Sequence, residues 1–205
     1  VELACLDLEG VLIPEIWIEF AEKTGIEALK ATTRDISDYD ELMTMRLGEL
    51  KKHNLGLNEI QEVISTLSPL PGAREFIDWL RERFQVIILS DTFYEFAGPL
   101  MKQLGYPTLL CHNLDVDASG MVTGYNIRQA NPKRQSIVAL KSIYYRTIAA
   151  GDSYNDTTML TEADAGILFK SPQNVIDEFP QFPAVHEYDD LKREFLKASV
   201  RDLTL

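Results

Sequence analysis

Cysteine, histidine and tryptophan are scarce in this chain, with two, three and two residues of each among 205. Two cysteines cannot build a disulfide framework for a chain of this size. Cys5 and Cys111 both sit in apolar runs, so they read as buried thiols of a reducing compartment. No apolar run approaches the roughly 20 residues that a membrane-spanning helix needs. The first residues lack a basic segment followed by an apolar one, so the expectation is no signal peptide and a cytoplasmic location. Positive charge is also short: 20 Lys and Arg stand against 32 Asp and Glu, for a net charge of -12. This balance argues against nucleic acid and against anionic membrane surfaces as partners. A phosphorylated ligand remains possible only where a local cation, either a metal ion or a well-placed Lys or Arg, supplies the attraction.

What the chain does have is hydrophobic material, 45% of its residues, enough for one full core with a small inserted lobe. Short apolar runs end in small or polar residues: Leu3 to Leu6 before Asp7, Val86 to Leu89 before Ser90 and Asp91, Thr108 to Cys111 before His112, Thr147 to Ala150 before Gly151 and Asp152, and Ala165 to Phe169 before Lys170. Each has the length of a buried strand. Helical periodicity fills Ala73 to Phe84, Tyr94 to Leu104 and Pro132 to Tyr145. Alternation of this kind predicts an α/β fold, a Rossmann-like parallel sheet flanked by helices. Ligands bind outside the carboxyl ends of such strands, where Asp7, Ser90, Asp91 and Asp152 fall.

Two segments break the alternation. Residues 14–71 carry helical patterns (Trp17 to Thr24, Asp38 to Leu50, Leu57 to Leu67) and no strand, and they end at Pro69-Leu70-Pro71-Gly72. They read as an inserted helical lobe, leaving 1–13 and 72–205 as the core. His112 to Arg128 alternates on either side of Ala118-Ser119-Gly120 and reads as a β-hairpin. The stretch from Tyr188 reads as an acidic loop and a closing helix.

Four elements carry chemistry. Asp7 and Glu9 precede Gly10, which lets the chain turn sharply; one carboxylate can attack phosphorus while the other moves a proton. Ser90 could hold a phosphate oxygen or cap a helix. Lys133 follows Pro132 in the first turn of a helix, where the helix dipole disfavours a cation. It either faces an anion or is solvated surface. Gly151-Asp152-Ser153-Tyr154-Asn155-Asp156 suits a loop that binds a hard cation, or an acidic cap on the next helix.

Taken together and in this order, Asp7-x-Glu9-Gly10, Ser90, Lys133 and Gly151-Asp152-x-x-x-Asp156 resemble the haloacid dehalogenase superfamily of phosphotransferases, over residues 3 to about 170. Within it the chain is most similar to the phosphoserine phosphatase group, and in that group to members that also transfer the phosphoryl group to homoserine. The resemblance implies Mg²⁺, an aspartyl-phosphate on Asp7, and a helical cap at 14–71. Glu9 would protonate the leaving oxygen and later deprotonate the acceptor. Asp7, Asp152 and the backbone carbonyl of Glu9 would hold the metal. Ser90 and Lys133 would bind phosphate, Asn155 would face the substrate, and Asp156 would orient Lys133 or a metal-bound water. In the cap, Arg46 would clamp the substrate carboxylate in bidentate fashion, Glu15 would meet its amino group, and Met43 would cover the site. Arg46 could otherwise pair with Glu49 or Asp40, and Glu15 could merely favour a helix start.

The chain departs from that group in two places. Glu9 stands where most members carry Asp. Asp91 follows Ser90 where glycine is usual; it is placed on the substrate side, with its charge expected to turn away from phosphate toward the hairpin or the cap. Small-molecule partners, phosphoserine and homoserine, are implied, together with a possible homodimer. A phosphatase of another small ester, a non-catalytic phosphate or metal sensor, and a helical interaction module are the competing readings.

Overall fold

The computed structural model describes residues 1–32, 35, 36 and 38–203; the parts of both domain expectations that fall on 33, 34, 37, 204 and 205 lie outside them. Strand β1 (Glu2–Leu6) is buried along its whole length and lies at the centre of a seven-stranded sheet ordered β4-β3-β2-β1-β5-β6-β7. The others are β2 (Gln85–Phe93), β3 (Thr108–Val116), β4 (Val122–Asn126), β5 (Arg146–Gly151), β6 (Ala165–Phe169) and β7 (Ala184–Val185). All pair in parallel except β3 with β4, which is the hairpin. The period of two sorts β1 onto both faces. Ala4 and Leu6 join one apolar layer with α4 (Ala73–Arg81), α5 (Tyr94–Gln103) and α9 (Tyr188–Ala198). Leu3 and Cys5 join the other, with α6 (Pro132–Ser142), α7 (Thr157–Glu162) and α8 (Gln173–Glu178).

Between β1 and α4 the chain forms α1 (Ile16–Thr24), a 3₁₀ turn (Glu27–Lys30), α2 (Tyr39–Lys52) and α3 (Leu57–Ser65), with no strand among the described residues. The two connections of this insert meet where Leu70 N–H donates to the Leu12 carbonyl at 2.9 Å. The insert lies on α5 through Trp17 against Phe96, with ring centroids 5.1 Å apart, and through Gln61 Nε2 donating to the Glu95 carbonyl at 2.7 Å. It reaches the hairpin through Leu57 N–H on the Gly120 carbonyl at 2.8 Å and through the Tyr125 hydroxyl on Asp40.

Several boundaries differ from the sequence reading. β2 does not stop at Leu89. It runs through Ser90, Asp91 and Thr92 to Phe93, with a register shift between Leu89 and Phe93. β3 does not stop at Cys111, because its far half is paired to β4 and stays extended to Val116. Helices α4 and α6 end at Arg81 and Ser142, short of Phe84 and Tyr145.

Candidate active site

Parallel register places the site. Leu6 pairs with Ile88 on one side and Ala150 on the other. Asp7, Ser90 and the Gly151–Asp152 step therefore lie side by side at one edge of the site. Asp7 N–H donates to the Ala150 carbonyl at 2.9 Å, and its Oδ1 accepts from Leu8 N–H at 2.7 Å. Gly10 turns the chain back at φ +76°, and a Cβ there would stand 2.4 Å from Asp152 Oδ2. The glycine is therefore required twice, for the left-handed backbone and for room beside the Asp152 carboxylate. Gly151 serves similarly: a Cβ would stand 2.4 Å from Asp156 Cβ.

Lys133 is buried at the start of α6. Its Nζ lies 2.9 Å from Asp7 Oδ1, 2.8 Å from Asp156 Oδ1 and 3.5 Å from Asp91 Oδ2. The unfavourable position on the helix dipole is answered by these three carboxylates. The start of α6 is tied to α7 by Thr158 Oγ1, which donates to Asn131 Oδ1 at 3.1 Å. Asp156 is fully buried and engaged at both oxygens: Oδ2 accepts from Asp152 N–H and Ser153 N–H at 3.0 and 3.2 Å. It orients Lys133 and closes the loop at the same time.

Carboxylate oxygens of Asp7, Asp152 and Asp156 lie within 4.8 Å of one another. Burial first, and then the Asp156 carboxylate, push the Asp7 carboxyl well up, against the pull of Lys133. The same causes, joined by Glu15, push Asp152 up to about 7. Negative charge is in excess here and the donors are all oxygen, which fits a divalent hard cation such as Mg²⁺. Both Asp156 oxygens are engaged; among the described residues, Asp7 and Asp152 are the others of this acidic group.

Glu9 has a different neighbourhood. Its Oε2 accepts weakly from Ile16 N–H at 3.4 Å. Burial and then Glu15 raise its carboxyl well above the ordinary range. Glu15 stands exposed immediately before α1 and caps nothing with its side chain. Arg46 is buried and does not pair with Glu49 or Asp40. Its guanidinium lies 4.6 Å from the Trp17 ring centroid, and Nη2 donates to the Ala31 carbonyl at 2.9 Å. The Arg46 Nε is buried without a partner. Met43 is fully buried, with its Sδ 4.0 Å from Arg46 Nη1.

Ser90 is buried within β2 and does not cap a helix; its Oγ accepts from Thr92 N–H at 3.2 Å. Asp91 turns toward the hairpin, as expected, with Oδ1 3.7 Å from His112 Nε2. Besides approaching Lys133, its Oδ2 accepts from Asn155 Nδ2 at 3.2 Å. Burial alone would raise its carboxyl, but Lys133 and His112 outweigh that and hold it at about 2. Asn155 is exposed and doubly tied, since its Oδ1 also accepts from Ser153 Oγ at 2.5 Å. The sequence reading missed Trp17 and His112. An aromatic on a helix and a lone histidine at a strand end give no local signal of what they touch. Surface hollows of about 480 Å³ beside Arg83 and about 290 Å³ beside Pro69 are not lined by Asp7.

A structural ion pair does not need three acids around one lysine; the crowding of like charges is characteristic of an enzyme site. The family pattern of haloacid dehalogenase-like hydrolases matches residues 1–164, and the chain belongs to that family. It is 74% identical, over 204 residues and the whole of both chains, to phosphoserine phosphatase ThrH of Pseudomonas aeruginosa. It is 72% identical to a phosphoserine phosphatase of Pseudomonas syringae pv. tomato, over 100% of this chain and 86% of that one. Its fold matches a solved phospho-aspartyl intermediate analogue of phosphoserine phosphatase with a TM-score of 0.75, at 23% identity over 96% of this chain and 97% of the other.

Proposed function

We propose that this enzyme is a Mg²⁺-dependent phosphoserine phosphatase that also transfers the phosphoryl group to homoserine. The observation that carries the amino-acid substrate is Arg46, a buried guanidinium with one N–H unsatisfied, set on Trp17 and facing Glu9 and Glu15. A buried N–H without a partner is costly, and a substrate carboxylate would relieve it. Glu15, exposed beside it, suits the substrate amino group. The names of the two Pseudomonas relatives agree with this substrate.

In the reaction, an Asp7 oxygen attacks phosphorus and the bond from phosphorus to the serine oxygen breaks. Glu9 acts as the general acid and gives a proton to that oxygen. In the second half, water or the homoserine hydroxyl gives a proton to Glu9 and attacks phosphorus, and the bond to Asp7 breaks. Lys133 stabilises the phosphoryl oxygens, with Ser90 holding another of them; buried donors of this kind typically contribute several kcal/mol. Asp7, Asp152 and the Glu9 backbone carbonyl would hold Mg²⁺, which supplies charge neutralisation to two anions that must meet. Residues 14–71 act as a lid, with Met43 excluding water. Their ends lie beside the catalytic loops, as closure over the site requires.

Incubation with phosphoserine, homoserine and Mg²⁺ tests the reading. Both free phosphate and phosphohomoserine are expected, with transfer rising as homoserine is added. Turnover of other small phosphate esters with none of phosphoserine would replace it with the broader phosphatase reading.

A further inference from the structure

Asp91 owes its direction to a feature that is not local to it. β2 and β3 pair as Leu89 with Leu110, and next as Phe93 with His112. β2 thus spends four steps where β3 spends two, and the surplus bulges out at Ser90, Asp91 and Thr92. Bulges beside active sites commonly re-aim a side chain. This one turns Asp91 toward the residue that closes the interval on the other strand, His112.

His112 is buried and packed against Phe93, with ring centroids 6.2 Å apart. Its Nδ1 accepts from Arg128 N–H at 3.1 Å. That nitrogen is therefore unprotonated, and the proton of the neutral ring sits on Nε2. Nε2 faces Asp91 Oδ1 at 3.7 Å, just beyond a closed hydrogen bond. The other Asp91 oxygen is shared between Lys133 and Asn155. Arg128 continues the connection, its Nη2 donating to Ser136 Oγ at 3.0 Å, and that hydroxyl donating to the Pro132 carbonyl at 2.8 Å. The hairpin thereby grips both the acid and the helix start that carries Lys133.

We propose that His112 is a positioning residue of this site: its Nε2–H, 3.7 Å from Asp91 Oδ1, attracts that carboxylate and keeps Asp91 across Lys133 and Asn155, so that both face the phosphoryl end of the substrate in fixed orientation. Lys133 has two closer carboxylates and stays in place without Asp91. Asn155 keeps only its Ser153 contact, and the Asp91 charge is lost. The defect on losing His112 therefore falls on substrate binding more than on turnover. The inference rests on the proposed placement of Asp91 and Asn155 at the substrate, not on which ester is bound.

Two substitutions separate positioning from packing. His112→Gln keeps a donor near the Nε2 position and loses the acceptor for Arg128. His112→Asn does the opposite. With the Mg²⁺-loaded full chain, assayed on both phosphoserine and p-nitrophenyl phosphate, His112→Gln is expected within about twofold of wild type in KM. His112→Asn is expected to raise KM about tenfold with kcat within about threefold. Asp91→Asn should show a similar KM rise, and the double variant should be no worse than either single, as coupled neighbours behave. A core histidine that serves only packing gives the reverse order, Asn as good as or better than Gln, and that result, or additive defects, overturns the proposal. Should His112→Asn not fold, Asp91→Asn decides alone, since it leaves the Arg128 contact intact; an unchanged KM there also overturns it. Failure of the phosphoserine assignment looks different: wild type would turn over p-nitrophenyl phosphate alone, and the Gln-before-Asn order would still be read on it.

Discussion

Lys133 Nζ stands 2.9 Å from Asp7 Oδ1, with both side chains buried. The lysine thus binds the carboxylate of the proposed nucleophile, where an incoming phosphoryl group would arrive. Removing it leaves Asp7 and Asp156 buried without their shared cation. Lys133→Ala is expected to destabilise the fold by about 3–5 kcal/mol, as breaking a buried pair does, and to reduce kcat by about a thousandfold. Urea unfolding and steady-state kinetics check the two effects separately.

Metal loading has a thermal signature independent of turnover. At a hundredfold excess over its Kd, Mg²⁺ is expected to stabilise the wild type by about 2.7 kcal/mol. Asp152→Asn should lose most of that gain in a thermal melt, because it removes one of the two carboxylates proposed to hold the ion. An undiminished gain in that variant would remove Asp152 from the ligand set.

Arg46 on Trp17 tests the substrate's carboxylate. Arg46→Ala should raise KM for phosphoserine by about a hundredfold. Turnover of p-nitrophenyl phosphate, which has no carboxylate, should change by less than about threefold. Arg46→Lys should not restore phosphoserine binding, since an ammonium cannot form the planar fork. Equal losses on both esters would dissociate Arg46 from the carboxylate.

The core of the site was legible because its signals are local. An apolar run ending in an acid followed by glycine marked Asp7. A proline-led helix bearing an ill-placed lysine marked Lys133. The acids of the 151–156 loop marked Asp152 and Asp156. What was not legible depends on pairing between distant segments. The β2 bulge exists only against β3, so nothing near Asp91 in sequence announced that it would also face Lys133. The cation–π seat of Arg46 likewise joins residues from two helices, α1 and α2. The far half of β3 is extended because β4 pairs with it, and its own run of residues ended earlier.

Asp91 also predicts a pH effect on stability. Its folded carboxyl is held at about 2, below the ordinary 3.8. As pH falls, the unfolded chain takes up this proton first. The stabilisation is therefore complete above about pH 4 and lost as pH falls toward 2. Asp91→Asn should show a shallower loss of stability across that window in denaturant titrations. A slope equal to wild type would mean that Lys133 and His112 do not hold the charge.

The most direct test is covalent. Wild-type protein mixed with phosphoserine and Mg²⁺, quenched in acid and mapped by mass spectrometry, should carry a hydroxylamine-sensitive phosphoryl group on Asp7. Asp7→Asn should carry none. A phosphoryl group on any other residue, or one that persists in Asp7→Asn, would contradict the assignment of Asp7 as the nucleophile.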